Sequence, residues 1–581
     1  MNETIRTTWP RALLATLLGL AACSDGAGGG DPSFTDVTAA AGIDFVHVHG
    51  GVGRKYLFET MGSGVAAADF DGDGLPDLLF LQSGMLPVEE FPLDERRRDD
   101  HQIAEGNRLY RNLGDGTFED VTAGSGIDVP FYAQGLAVGD VDSDGDRDVY
   151  VGAYGRSRLF LNDGNARFTD VSATCGIDDP LWTIGGAFLD VDNDGDLDLY
   201  SVAYLDMPYD THRVCGPSRQ LRTYCHVDAW DGLDDHLWIN DGNGHFTDGS
   251  AGAGLPGTVG KGLAAVASDL DDDGDLDIFV ANDSKANLML RNDGGGRFGQ
   301  IGRESGTDYN AEGRSEACMG IDSGDLDGDG DLDLYVVNFQ QETNTLYRND
   351  GDMFFTDVAT SSGTGVPSTA YLGFGTVFVD VENDGDLDIY VANGHILDNV
   401  EEVEKLTSHA QADQLYLNDG SGRFALAPET YGSSLSELRV GRGVARVDFD
   451  RDGDADLVVS NNGGPPWVLR NDLAQGHRIV LRLDGPAGRA DAEGARVTVR
   501  HGEVAVVREL STGSSYASHS DSELLIGLGE MTGAAVSVEI RWPDGSISNH
   551  PHLAVDRRYR IGYGGVSQED EPLPPPTAGS R

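Results

Sequence analysis

Seven stretches of the chain set carboxylates at the first, third, fifth and ninth positions of a nine-residue loop, with glycine at the sixth. They are Asp69, Asp71, Asp73 and Asp77; Asp140, Asp142, Asp144 and Asp148; Asp190, Asp192, Asp194 and Asp198; and Asp269, Asp271, Asp273 and Asp277. Three more follow: Asp325, Asp327, Asp329 and Asp333; Asp380, Glu382, Asp384 and Asp388; and Asp448, Asp450, Asp452 and Asp456. A hard cation needs convergent oxygens while the backbone turns sharply, so this spacing predicts up to seven Ca2+ sites. One acidic run is equally well a solvated turn, since Asp and Gly dominate turns. Seven copies in register are not explained that way.

Position twelve, where an EF-hand places a bidentate Glu, holds Phe80, Val151, Ser201, Val280, Val336, Val391 and Val459. The EF-hand reading fails there. Short runs rich in β-branched and aromatic residues, such as Asp148-Val149-Tyr150-Val151, follow the loops, so a strand leaves each one. A small-residue strand enters, as in Gly135-Leu136-Ala137-Val138-Gly139. A third strand carries Leu109-Tyr110-Arg111-Asn112 and its six siblings, and a fourth reads Phe168-Thr169-Asp170-Val171 or Phe355-Thr356-Asp357-Val358. Four short antiparallel strands per repeat predict an all-β, seven-bladed propeller.

The seventh repeat lacks its fourth strand after Asn471, and Phe34-Thr35-Asp36-Val37 stands alone before the first. The N-terminal strand is therefore expected to close the last blade and protect its edge. Antiparallel order puts the calcium loops on one face. The long insertions, Gln82 to Gly106, Leu205 to Asp235 and His395 to Ala412, fall on the opposite face, where ligands are expected to bind.

The ends set the compartment. Arg6 and Arg11 precede an apolar run from Ala12 to Ala22, too short for a bilayer span and shaped as a secretory signal over 1–22. Leu20-Ala21-Ala22-Cys23 is similar to a bacterial lipobox, which implies an acylated Cys23, a tether over 23–33 and membrane attachment by that lipid. An ordinary signal peptide cut near Ala22 is the alternative. Export lets Cys215 and Cys225 be read as a disulfide inside one insertion. Cys175 and Cys318 are left unassigned. The formal charge is -57, and 35 of the 98 acidic residues sit in the seven loops. No basic stripe offers itself to phosphate, which argues against nucleic acid.

The blades resemble FG-GAP or VCBS repeats, the kind found in integrin α propellers; the resemblance implies calcium on one face and ligands on the other. The segment Gly42-Ile43-Asp44-Phe45 through Lys55-Tyr56-Leu57-Phe58-Glu59-Thr60-Met61-Gly62 resembles the opening of cartilage-acidic-protein-like bacterial proteins, as does Val391-Ala392-Asn393-Gly394-His395. Ser515-Tyr516, Ser518-His519-Ser520-Asp521, Gly527-Leu528-Gly529 and Ile540-Arg541-Trp542-Pro543-Asp544-Gly545 are similar to an ASPIC/UnbV domain. The expected layout is a propeller over 34–471, a small β domain over 472–565 and a disordered tail over 566–581.

No H-E-x-x-H, G-x-S-x-G, P-loop or C-x-x-C signature is present. His47 and His49, two apart on a strand, could share a side near Glu59. Trp182, Tyr204 and Trp230 either anchor a ligand or pack under long loops. The resulting expectation is a non-enzymatic, calcium-stabilised envelope lipoprotein, outer-membrane or surface-exposed, binding a protein or glycan on the insert face. The alternatives are a calcium-dependent polysaccharide lyase using Arg213, Arg219, Arg222 and His226, or an assembly scaffold.

Overall fold

The computed structural model describes residues 34–51, 53–84, 106–179, 182–209, 213–218, 220–255, 257, 259–473, 476–502, 504–531 and 533–575. The segment read as signal, Cys23 and the tether lie outside these residues, as do Arg219 and most of the Gln82 to Gly106 insertion. Within them the acidic loops sit inside antiparallel hairpins. The first sheet runs Val65–Ala68, Asp77–Phe80, Arg108–Asn112 and Phe118–Asp120, and five further sheets repeat that order. The seventh comprises Gly441–Val447, Asp456–Asn461 and Trp467–Asn471, and its outer strand is Phe34–Asp36, paired Phe34 to Asn471 and Thr35 to Arg470. The innermost strand of each sheet packs on that of the next, and the seventh on the first. The ring closes.

The period-two pattern explains the packing. Leu78 and Phe80 face one neighbouring blade and Leu79 the other, so central strands are apolar on both sides and buried throughout. The Asn ending each third strand adds a polar staple. Asn162 Nδ2 donates to the Arg147 carbonyl of its own blade (3.2 Å) and to the Phe70 carbonyl of the preceding one (2.8 Å). Asn112, Asn240, Asn292, Asn349 and Asn418 make the same two contacts, and Asn471 makes the inter-blade one. Buried carbonyls without such donors would each cost about 1–3 kcal/mol.

Beyond Asn471 lie two more four-stranded sheets. One holds Leu524–Gly529, His477–Leu483, Arg557–Gly562 and Val566–Pro572; the other holds Val504–Glu509, Arg496–His501, Ala535–Arg541 and Ile547–Ala554. Ile479, Val497, Ile526, Val538 and Trp542 form their shared core. The disordered-tail expectation is corrected here: 566–572 pairs antiparallel with Arg557–Gly562. Glu571 bonds Arg451 at 2.6 Å, and Leu573 is buried. Proline and charge suggested disorder, but the backbone pairs with Arg557–Gly562 and Arg451 supplies a partner for Glu571.

Candidate metal centres and the face that covers them

All seven acidic loops share one construction. The ninth-position carboxylate is pinned by two backbone N–H groups, from the second loop position and from the staple Asn. Asp148 accepts from Val141 at 2.9 Å and Asn162 at 2.8 Å, and Asp333 from Leu326 at 3.0 Å and Asn349 at 2.8 Å. Asp77, Asp198, Asp277, Asp388 and Asp456 are held alike. The sixth-position glycine adopts φ between 89° and 102° in every copy, which turns its N–H onto the first-position carboxylate.

These loops fit a cation. In the first five, three carboxylates offer oxygens that lie within 4.8 Å of one another. Oδ1 of the third-position Asp142, Asp192, Asp271, Asp327 and Asp450 is buried without a hydrogen-bond partner. Burial, together with neighbouring acids, pushes Asp77, Asp198 and Asp333 up to about 8. Converging oxygens with unused lone pairs are what Ca2+ would satisfy. The sixth loop differs: Glu382 Oε1 accepts from Tyr431 Oη at 2.5 Å.

The C-terminal sheets roof this face. Arg482 bonds Asp69 Oδ2 at 3.2 Å, Arg541 bonds Asp269 and Arg558 bonds Asp448. The Ala490 and Gly527 N–H groups reach Oδ2 of Asp140 (3.0 Å) and Asp380 (3.2 Å). Five of the seven first-position carboxylates thus accept a donor from beyond residue 471. Arg147 stands where sibling loops have Leu197, Leu276, Leu332 and Leu387; its guanidinium is bidentate on Asp491, both bonds 2.7 Å, and both residues are buried.

The same domain plugs the ring. Residues 511–521 enter the central channel and pair with innermost strands at Ala267 to Thr512, Ile321 to Ser515 and Ala66 to His519. Approach is so close that a Cβ on Gly64 would sit 1.6 Å from the Ala517 carbonyl oxygen, and one on Gly135 would lie 2.7 Å from Ala517. Tyr516 Oη reaches the Met61 carbonyl at 3.1 Å. This plug was missed from sequence. Its signal was present in the small residues of the entering strands and of Ser511-Thr512-Gly513-Ser514-Ser515.

On the opposite face the side chains singled out from sequence mostly turn inward. His47 is buried, with Nε2 3.2 Å from Ser83 Oγ and Nδ1 accepting from Gly463 at 3.0 Å; burial pushes it down to about 3. His49 Nδ1 accepts from Gly51 at 3.1 Å. Trp182, Tyr204 and Trp230 are buried among Tyr56, Phe58, Tyr154 and Tyr209, which settles them as packing under long loops. His395 is buried and its Nδ1 accepts from Leu397. Cys215 and Cys225 are joined by a disulfide, and Cys175 and Cys318 are free and buried. Arg213 lies over Trp230 and His226 accepts the Asp228 N–H, and both remain exposed. Asn399 Nδ2 to the Arg222 carbonyl (2.9 Å) and Lys55 to Asp398 tie the insertions together.

Two family models match parts of the chain. Residues 98–151, 140–201, 269–336 and 325–391 match the FG-GAP-like repeat, and residues 485–568 match ASPIC and UnbV. The chain is an FG-GAP-repeat β-propeller protein carrying an ASPIC/UnbV domain. It is homologous to cartilage acidic protein 1: 28% identical to that of Mus musculus over 313 residues, 51% of this chain and 43% of that protein, and 28% to that of Homo sapiens over 305 residues, 50% and 41%. The chain therefore spans less than half the length of these relatives. Among solved structures, BBS1N in complex with ARL6DN is similar at TM-score 0.36 and 11% identity, covering 70% of this chain and 91% of that chain.

Proposed function

We propose that the protein is an exported, lipid-anchored binding module of a bacterial envelope, stabilised by Ca2+ in the seven loops and engaging a protein or glycan through its insert face. The observation that supports this most is the roofing of the calcium-loop face by the C-terminal domain, which leaves the face with the insertions as the free broad surface. Calcium in such a molecule is structural: it neutralises each carboxylate cluster and locks its hairpin. Metal-free loops would leave buried acids to repel one another. The lipid on Cys23 would hold the module at the membrane.

Site-specific crosslinking tests the reading. Leu406, 91% exposed in the His395 to Ala412 insertion, and Ile547, 60% exposed on the C-terminal domain, are each replaced by a photo-crosslinking residue in the full chain. Adducts are expected from position 406 and not from 547. Adducts only from 547 would overturn it.

A further inference from the structure

The roof meets the seven acidic loops in two chemically different ways. On three of them it brings a guanidinium to a carboxylate. In the first loop, both terminal nitrogens of Arg482 bond Asp69 Oδ2 at 3.2 Å. In the fourth, Arg541 bonds Asp269 and also Asp272, the latter at 2.9 Å, and Arg496 lies 3.5 Å from Asp272. In the seventh, Arg558 bonds Asp448, both residues buried, and Arg478 reaches Asp454 at 3.0 Å. These loops keep oxygens for a cation all the same: Oδ1 of Asp271, Asp448 and Asp450 is buried without a hydrogen-bond partner, and Asp448 is 1% exposed.

Among the described residues, the carboxylates of the other four loops carry no ion pair from the roof. Asp140 and Asp380 accept neutral backbone N–H groups, from Ala490 at 3.0 Å and Gly527 at 3.2 Å. Arginines near the fifth and sixth loops are turned to backbone carbonyls: Arg496 bonds that of Gly330, and Arg508 that of Gly385 at 2.9 Å. In the third loop Asp190 is held by its own Asp194 and Gly195 N–H groups, at 3.1 and 3.0 Å. The guanidinium of buried Arg489, though near Asp190, has no hydrogen-bond partner.

Calcium affinity follows the charge that the ligands bring. A guanidinium on a first-position carboxylate cancels much of that charge, occupies a lone pair and sets a fixed positive charge beside the place of the ion. A backbone N–H pins the same oxygen and leaves its charge in place. We propose that the roof arginines sort the loops into two calcium classes, with the first, fourth and seventh weak and the other four tight. The ranking rests on the reading of the loops as Ca2+ sites and goes beyond it. Coupling is reciprocal, so calcium entering a weak loop loosens its arginine contact by the factor that the arginine costs calcium. The roof is then clamped hardest at low calcium, and the three weak loops make its grip respond to calcium concentration.

Equilibrium dialysis of the full chain against radioactive calcium, at physiological salt, tests the ranking. Four tight and three weak ions are expected, their affinities separated by about tenfold or more. Arg482→Gln and Arg541→Gln should each move one ion from the weak class to the tight one. Arg156→Gln, whose pair with Asp178 involves no loop carboxylate, should move none. Melting in calcium checks that each variant is folded, and the two classes of the parent chain are a test that needs no variant. A single class of ions, or classes unchanged in both loop-facing variants, would overturn the ranking and leave the loops as calcium sites. No bound calcium at all would overturn both.

Discussion

The two faces of the ring solve opposite problems with the same scaffold. On the acidic-loop face, seven copies of one construction repeat the same pins, the same glycine geometry and the same staple, and a second domain then buries them. On the insert face no two connections are alike, and they pack on one another through Asn399 to Arg222, Lys55 to Asp398 and a shared aromatic cluster. Repetition builds one face, and irregular connections build the face proposed above for recognition. The face that carries the acidic loops is the one that the C-terminal sheets cover.

Calcium withdrawal should break this contrast most. Each loop filled at a hundredfold excess over its dissociation constant adds about 2.7 kcal/mol to the native state. Several filled loops together should move the melting temperature by about 10 °C or more on chelation. Elemental analysis paired with thermal melting checks it. Metal loss without a change in melting would reduce the loops to acidic turns and remove the reason for one face to differ from the other.

Legibility in the sequence followed the same division. The loops, the Asn strands and the closing Phe34–Asp36 strand were readable because seven copies expose which positions a geometry constrains. Gly at the sixth position recurs since the backbone there is left-handed, and Asn recurs since it bridges two blades. The plug was unreadable because its partners are strands hundreds of residues away, and a run of small residues does not say what it fills. Trp182 and Tyr204 illustrate the opposite difficulty: an aromatic beside a long loop has the same spacing whether it meets a ligand or another aromatic. The 566–572 strand was hidden because its run of acids and prolines reads as polar tail, and Arg451, the partner of Glu571, reaches it only through tertiary structure.

The roof over the acidic-loop face can be loosened selectively. Arg147→Ala leaves Asp491 buried without its counter-charge, and removing one partner of such a pair costs about 3–5 kcal/mol. The exposed pair of Arg156 and Asp178, 2.9 Å, is the control, and Arg156→Ala should cost under about 1 kcal/mol. Urea unfolding measures both. Arg147→Leu combined with Asp491→Leu, which brings the sibling residue back to the loop, should recover most of the loss. If the single and double replacements are equally damaging, packing and not the stranded charge holds the roof down.

The insert face offers a smaller effect that depends on pH. Glu59 is 1% exposed beneath the insertions; Oε2 accepts from Tyr224 Oη at 3.3 Å and Oε1 has no partner. Burial, opposed in part by hydrogen bonds, pushes its carboxyl up to about 7 from an ordinary 4.5. Between those values the folded chain keeps a proton that the unfolded chain has released, so this group lowers stability as pH rises from about 4.5 to 7, and the loss persists above. Glu59→Gln mimics the protonated form. The variant should match the parent near pH 4.5 and exceed it at pH 8 by ~3 kcal/mol or less, the linkage value of such a shift. Urea midpoints of both proteins across that range, at saturating calcium so that the acidic loops contribute equally, measure the difference. A variant weaker than the parent at pH 8 would mean that the insert face needs Glu59 ionised, and Lys55 above Tyr224 would then be its counter-charge and not only the partner of Asp398.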